Sequence, residues 1–230
     1  MDVVTVDDLE LELRGSPRRR SLQVTVDRGG ELLVFAPTGC EARVIEQFVR
    51  AKRLWIYREL ERKKQLLPLA QTKEYASGEG FLYLGRTHRV ILVDDQSVPL
   101  KLDEGRFKLL RSAAGDGREH MVAWYIAHAQ PWLATRVERV SCRVGSAPRR
   151  IVVRDLGFRW GSCGKDGTVY FNWRSILLPP HAIDYVIAHE LLHLRETRHS
   201  RNFWRGMERA MPDFRSRKEW LAENGHMVGM

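Results

Sequence analysis

Short runs in which apolar and polar residues alternate open the chain. Leu9-Glu10-Leu11-Glu12-Leu13 and Leu22-Gln23-Val24-Thr25-Val26 both have period two, the pattern of strands with one buried face. Gly29-Gly30 separates the second run from Leu32-Leu33-Val34-Phe35, which predicts a hairpin. Pro37 stops that strand, and Thr38 followed by Glu41 has the spacing of a capping box. Val44, Phe48, Trp55 and Leu60 then carry a helical period to about Leu67, where Pro68 follows. The outer face of this helix holds Arg50, Lys52, Arg53, Arg58, Arg62, Lys63 and Lys64. Further short strands are predicted at residues 81–84, 89–93, 98–102 and 107–110. Ala113-Ala114-Gly115-Asp116-Gly117 reads as a linker. Beyond it a helical pattern runs from Arg118 to about Val144, with a kink or break expected at Pro131. Strands at residues 151–154 and 168–173 flank a turn around residues 161–167, and no internal repeat is evident. The architecture expected is α+β. Residues 1–115 form an N-terminal β-rich domain with one long helix, and residues 116–230 form a second domain with a small sheet.

Composition narrows the class. Of 230 residues, 43% are hydrophobic and 29% charged, which suits a globular chain rather than a disordered one. No apolar run approaches the roughly 20 residues that cross a bilayer, and the acidic start through Asp7 and Asp8 is unlike a signal peptide. Cys40, Cys142 and Cys163 are odd in number and lack CxxC spacing, which argues against a disulfide scaffold and a cysteine zinc knuckle. A reducing, cytoplasmic setting is the default. The net charge of +9 invites polyanions such as nucleic acid or nucleotide phosphates, although solvated helix faces account for much of the arginine equally well.

The chemistry concentrates in PPHAIDYVIAHELLHLRETRHSRNFW, from Pro179 to Trp204. Two prolines precede a helical run from His181 to about Arg195, with Val186, Ile187, Leu191 and Leu194 on one arc. His189 and His193 lie within roughly 40° of each other on that helix, with Glu190 between them and the apolar arc. This HExxH spacing lets both imidazoles reach one Zn²⁺ ion. His199, six residues on, leaves the helix where the chain can turn back, and Ser200 reads as the N-cap of the next helix. Three histidines leave a fourth position open to water, and Glu190, unable to ligate from its place, is the candidate general base. The His189-x3-His193-x5-His199 spacing matches the metzincins, but Glu196 stands where they need glycine. Glu196 is thus an alternative third ligand or an outer partner. Trp160-Gly161-Ser162-Cys163-Gly164 reads as a glycine turn packing beside the metal helix, with a nucleophile turn through Ser162 or Cys163 as the weaker alternative. Arg159, Asn172 and Arg174 are candidate substrate contacts, with the strand at residues 169–173 as the edge on which a peptide would pair.

These residues also carry a resemblance. Arg159-Trp160-Gly161-Ser162-Cys163, Phe171-Asn172-Trp173, Pro179-Pro180, Asp184-Tyr185-Val186-Ile187, HELLHL, His199-Ser200 and Phe203-Trp204 resemble the YgjP-like metallopeptidase family, which is related to SprT-like and WLM zinc peptidases. Arg18–Arg20, Phe35-Ala36-Pro37, the helix around residues 52–56 and Tyr83-Leu84-Gly85 extend the likeness over essentially the whole chain. Upstream of Arg159, Gly157-Phe158 departs from the polar pair expected there. The resemblance implies a zincin-like catalytic domain with His189, His193 and His199 as zinc ligands and Glu190 as base. It implies a protein or peptide substrate first. Nucleoside triphosphates on the same site form a second reading, and a nucleic-acid-associated zinc-binding module a third.

Overall fold

In the first part of the chain, alternation makes a sheet and the following helix covers it. Strands β1 (Asp2–Val6), β2 (Leu9–Ser16), β3 (Gln23–Val26) and β4 (Leu32–Pro37) are ordered β1-β2-β4-β3. Leu9 and Leu11 turn inward from β2 while Glu10 faces out. Helix α1 (Ala42–Leu66) lays Ile45, Val49 and Ile56 against that inner face, all essentially buried with Leu11 and Val34. The computed structural model describes residues 2–26, 31–66, 73–157, 159–225 and 228. The expected Gly29-Gly30 turn, the helix end at Leu67-Pro68, the side chains of Arg62, Lys63 and Lys64, and Phe158 lie outside the described residues. The helix opens at Ala42 rather than directly after Thr38.

The same strand plan recurs. β5 (Gly80–Tyr83), β6 (Arg86–Val93), β7 (Leu100–Asp103) and β8 (Arg106–Leu110) are ordered β5-β6-β8-β7. Both sheets are two antiparallel hairpins joined by one parallel pairing, β2 with β4 and β6 with β8. A 3₁₀ turn (Arg111–Asp116) leads from the second sheet into α2 (Gly117–Val144). After it come β9 (Arg150–Arg154), β10 (Gly161–Cys163) and β11 (Thr168–Asn172), in the order β10-β11-β9. A second 3₁₀ turn (Trp173–Leu177) and helices α3 (Pro180–Leu192), α4 (Arg201–Ala210) and α5 (Phe214–Asn224) follow.

The chain divides into compact units Met1–Leu69 and Ala70–Met230, not at the boundary expected between residues 115 and 116. The reason lies in the β5–β8 sheet, whose apolar face is covered by α2. Phe107 and Leu109 share one buried core with Met121 and Tyr125, and the Tyr125 hydroxyl donates to the Leu82 carbonyl at 2.7 Å. The supposed linker glycines serve close packing instead: a Cβ on Gly117 would stand 2.5 Å from the Tyr75 ring. Nor does Pro131 break α2. The carbonyl that loses its partner four residues back belongs to Ala127, which is exposed to solvent, so its loss costs little.

This unit holds α3 from two directions. The turn between β5 and β6 docks against its entry, with the Leu84 and Gly85 amides donating to Ile176 and Leu177 carbonyls at 2.8 and 3.1 Å. Gly85 has φ +76°, and a Cβ there would lie 2.7 Å from Pro179. From the helices, Arg136 of α2 grips Asp184 of α3 in a two-pronged ion pair at 2.5 and 2.8 Å, and Arg217 of α5 stands 3.7 Å from the same carboxylate. Among the described residues no helix is long and apolar enough to cross a membrane.

Candidate metal and catalytic site

Pro180 presets the backbone of the first turn of α3, and the helix is buried nearly all round, with Ile183, Ile187, Ala188 and Leu191 inaccessible. It ends at Leu192, so His189 lies in its last turn and His193 at its C-cap. The following loop is tied to itself. The Glu196 amide donates to the Leu192 carbonyl at 2.9 Å, and His193 Nδ1 lies 2.8 Å from the Glu196 carbonyl. The Ser200 hydroxyl donates to the Glu196 carboxylate and accepts from the Phe203 amide, both at 3.2 Å, so it caps α4. These bonds return His199 to α3.

The three imidazoles meet edge to edge. Their Nε2 atoms are 3.2 Å (His189 and His193), 3.1 Å (His193 and His199) and 3.0 Å (His189 and His199) apart. Three nitrogens of a tetrahedron with bonds near 2.0–2.1 Å lie about 3.3 Å from one another. The triangle fits one small cation. With the Glu196 carbonyl accepting from Nδ1, His193 presents a lone pair at Nε2. Burial, then the neighbouring His193 and His199 and the Lys218 charge, lowers the His189 pKa to about 3. His199 is lowered by burial, by His193 and by Lys218. Neutral imidazoles are the form that ligates. Buried Phe203 packs against all three rings at 4.8–5.1 Å between centroids. Among the described residues this is the group able to hold a metal ion, and Glu196 is not in it. Its carbonyl and carboxylate brace the loop that delivers His199.

Glu190 sits beside the triad, 7% exposed. Burial pushes its pKa up to about 7, against the downward pull of the Arg159 charge. Its carboxyl rests on the backbone of β10: a Cβ on Gly161 would meet Glu190 Cγ at 2.6 Å and Oε1 at 2.8 Å. The groove between β10 and α3 opens into a cleft of about 790 Å³ containing His189, Glu190 and His193, with Arg159, Trp160 and Tyr185 on its walls.

The strand beside this cleft is β10, not the one expected. The segment at residues 169–173 is mostly β11, which lies between β10 and β9 and has no free edge. Asn172 donates to the Trp160 carbonyl and Gly164 to the Thr168 carbonyl, so residues 160, 162 and 164 face β11 along the ladder. By alternation, Gly161 and Cys163 turn their backbone N–H and C=O outward. Arg159 does line the cleft. Asn172 is fully buried, donating to the Gly157 and Arg159 carbonyls at 3.0 and 2.9 Å and accepting from the Arg174 amide. It shapes the loop that carries Arg159 and stands outside the cleft. Arg174 pairs with Asp155 at 2.9 Å and lies over the Trp173 ring, also outside it. The thiol of Cys163 is pushed up by burial and by the Glu190 and Asp166 charges, the reverse of nucleophile activation. Gly161 and Tyr185 are site residues that the pattern did not single out. Tyr185 carried one signal, its place four residues before His189.

A buried glutamate beside three converging imidazoles, on a cleft with a free strand edge, defines the class as a metallopeptidase-like hydrolase. Residues 20–224 match the YgjP-like family, described as a YgjP-like metallopeptidase domain. The chain belongs to that family, which implies a bound metal ion. No curated protein matches the chain. Among solved structures it is similar to the metallopeptidase zymogen abylysin of Pyrococcus abyssi, with 23% identity over 37% of this chain and 88% of that one. The TM-score is 0.35.

Proposed function

We propose that the protein is a zinc-dependent peptidase acting on extended polypeptide in the reducing cytoplasm, with His189, His193 and His199 as ligands and Glu190 as general base. The observation that carries the reading is the 3.0–3.2 Å triangle of Nε2 atoms opening on the same cleft as Glu190. Zinc bound there would supply a Lewis acid for the substrate carbonyl and would ease deprotonation of water. The chain's own residues do the rest. Outward amide and carbonyl groups of Gly161 and Cys163 pair with the substrate backbone as an added strand and fix its direction. Gly161, lacking a side chain, lets Glu190 approach the reacting carbonyl. Glu190 takes the proton of the attacking water and returns it to the leaving amine nitrogen. Its burial favours the protonated form and the Arg159 charge favours the ionised one, which suits a group that must do both near neutral pH. Arg159 at the cleft wall holds Glu190 toward ionisation and favours acidic substrate residues.

The test is a comparison of the purified protein with Glu190→Gln. Elemental analysis should find about one zinc per chain in both. Cleavage of unfolded casein should fall by roughly 10²–10⁴-fold in the variant. Full activity in Glu190→Gln would remove the assignment. Phosphate release from ATP without casein cleavage would move it to phosphoanhydrides.

A further inference from the structure

Tyr185 has no part in the scheme above, yet it is placed as though it had one. Its residue is 6% exposed, its ring lies 5.9 Å from that of His189 between centroids, and it lines the cleft. Among the described residues its hydroxyl has no hydrogen-bond partner. The other buried tyrosine of this core shows the usual solution, Tyr125 donating to the Leu82 carbonyl at 2.7 Å. Unlike that of Tyr125, the Tyr185 hydroxyl is not sealed in the core: the ring is buried and the oxygen opens on the cleft. A phenol whose ring is fixed by burial and whose hydroxyl opens on a reaction cleft is placed to donate to whatever enters.

Helix phase says what enters. At 100° per residue, Tyr185 lies about 40° to one side of His189, whereas His193 and Glu190 lie about 40° and 100° to the other. The ligand stripe of α3 therefore has the carboxylate on one flank and the phenol on the opposite one. When water adds to a carbonyl, the base removes a proton on the water's side while negative charge grows on the carbonyl oxygen. We propose that Tyr185 is a catalytic residue that donates its hydroxyl hydrogen to the carbonyl oxygen of the scissile peptide as that oxygen becomes negative. The inference rests on the peptidase reading of this site. The hydrogen is shared and not transferred, so Tyr185 stays protonated through turnover and Glu190 alone carries the moving proton.

Tyr185→Phe keeps the ring and removes only the donor. The probe is an internally quenched peptide that the wild-type protein cleaves, together with the matching phosphinic peptide, whose tetrahedral centre copies the charged oxygen. The variant should keep its zinc content and melting temperature. It should lose roughly 10²–10³-fold in kcat, the effect of deleting one such donor, with KM changed less than about threefold. Affinity for the phosphinic peptide, read by calorimetry, should drop by a similar factor. A kcat within about threefold of wild type, a loss carried by KM, or unchanged phosphinic-peptide binding would overturn the role while leaving the peptidase assignment intact. Inability of the wild-type protein to cleave any peptide would overturn both.

Discussion

At the residue scale, the site depends on what is missing as much as on what is present. Gly161 has no side chain, and the carboxyl of Glu190 occupies the space one would fill. Gly161→Ala must therefore push either the β10 backbone or the Glu190 carboxyl away from the cleft. Overpacking of this kind costs about 1–3 kcal/mol, and displacing the base should lower kcat at least tenfold while zinc content stays at wild type. Thermal unfolding, elemental analysis and peptide turnover on one preparation check all three. HExxH was legible without any structure, because its meaning is local: four residues is one turn. The Trp160–Gly164 segment reads as a glycine turn packing beside that helix, but which atom Gly161 makes room for, the Glu190 carboxyl, shows only in the fold. Asn172 and Arg174 lie outside the cleft for a related reason. Their partners, two loop carbonyls and Asp155, are brought near by the β11 ladder and the turn after it.

At the element scale, α3 is positioned by neighbours distant in sequence. Asp184 is 4% exposed and is held by Arg136 from α2 and Arg217 from α5. A buried carboxylate that loses its charge strands its cationic partners, at a typical cost of 3–5 kcal/mol. Arg136 retains some solvent contact, so Asp184→Asn should destabilise by roughly 3 kcal/mol. Zinc affinity should fall with it, as α3 gains freedom relative to α4. Chemical denaturation with and without excess zinc reads both effects. Most strand and helix positions followed from periodicity, including the hairpin β3–β4 and the cap at Ser200, but β1 was not foreseen and β10 was read as part of a turn. The strand order did not follow from periodicity. Period two says that a strand has a buried face but not which strand lies beside it, so β11 was mistaken for the edge.

At the scale of the whole molecule, burial of Glu190 ties stability to pH. In the metal-free protein its pKa stands near 7, above its ordinary 4.5. The folded state thus binds that proton more tightly than the unfolded chain. The associated stability is fully present below about pH 4.5 and is lost as pH rises through 7, amounting to roughly 3 kcal/mol. Glu190→Gln removes this dependence. The metal-free variant should therefore gain stability on the metal-free wild type from about pH 4.5 to 7 and then hold a constant difference, as paired urea titrations would record. His189, held neutral down to about pH 3, acts in the opposite sense: both proteins should weaken as pH falls below about 6.5, where the unfolded chain gains that proton. The sequence alone pointed to the histidine and glutamate spacing and to most of the elements, because each is set by spacing along one helix or strand. The tertiary structure decided the division at Leu69, the pairing of β10 with the cleft and the placing of Gly161 and Tyr185. It also converted Glu190 from an ordinary carboxylate into a buried one. These depend on which surfaces meet, and contact between residues far apart in the chain leaves no period in the sequence.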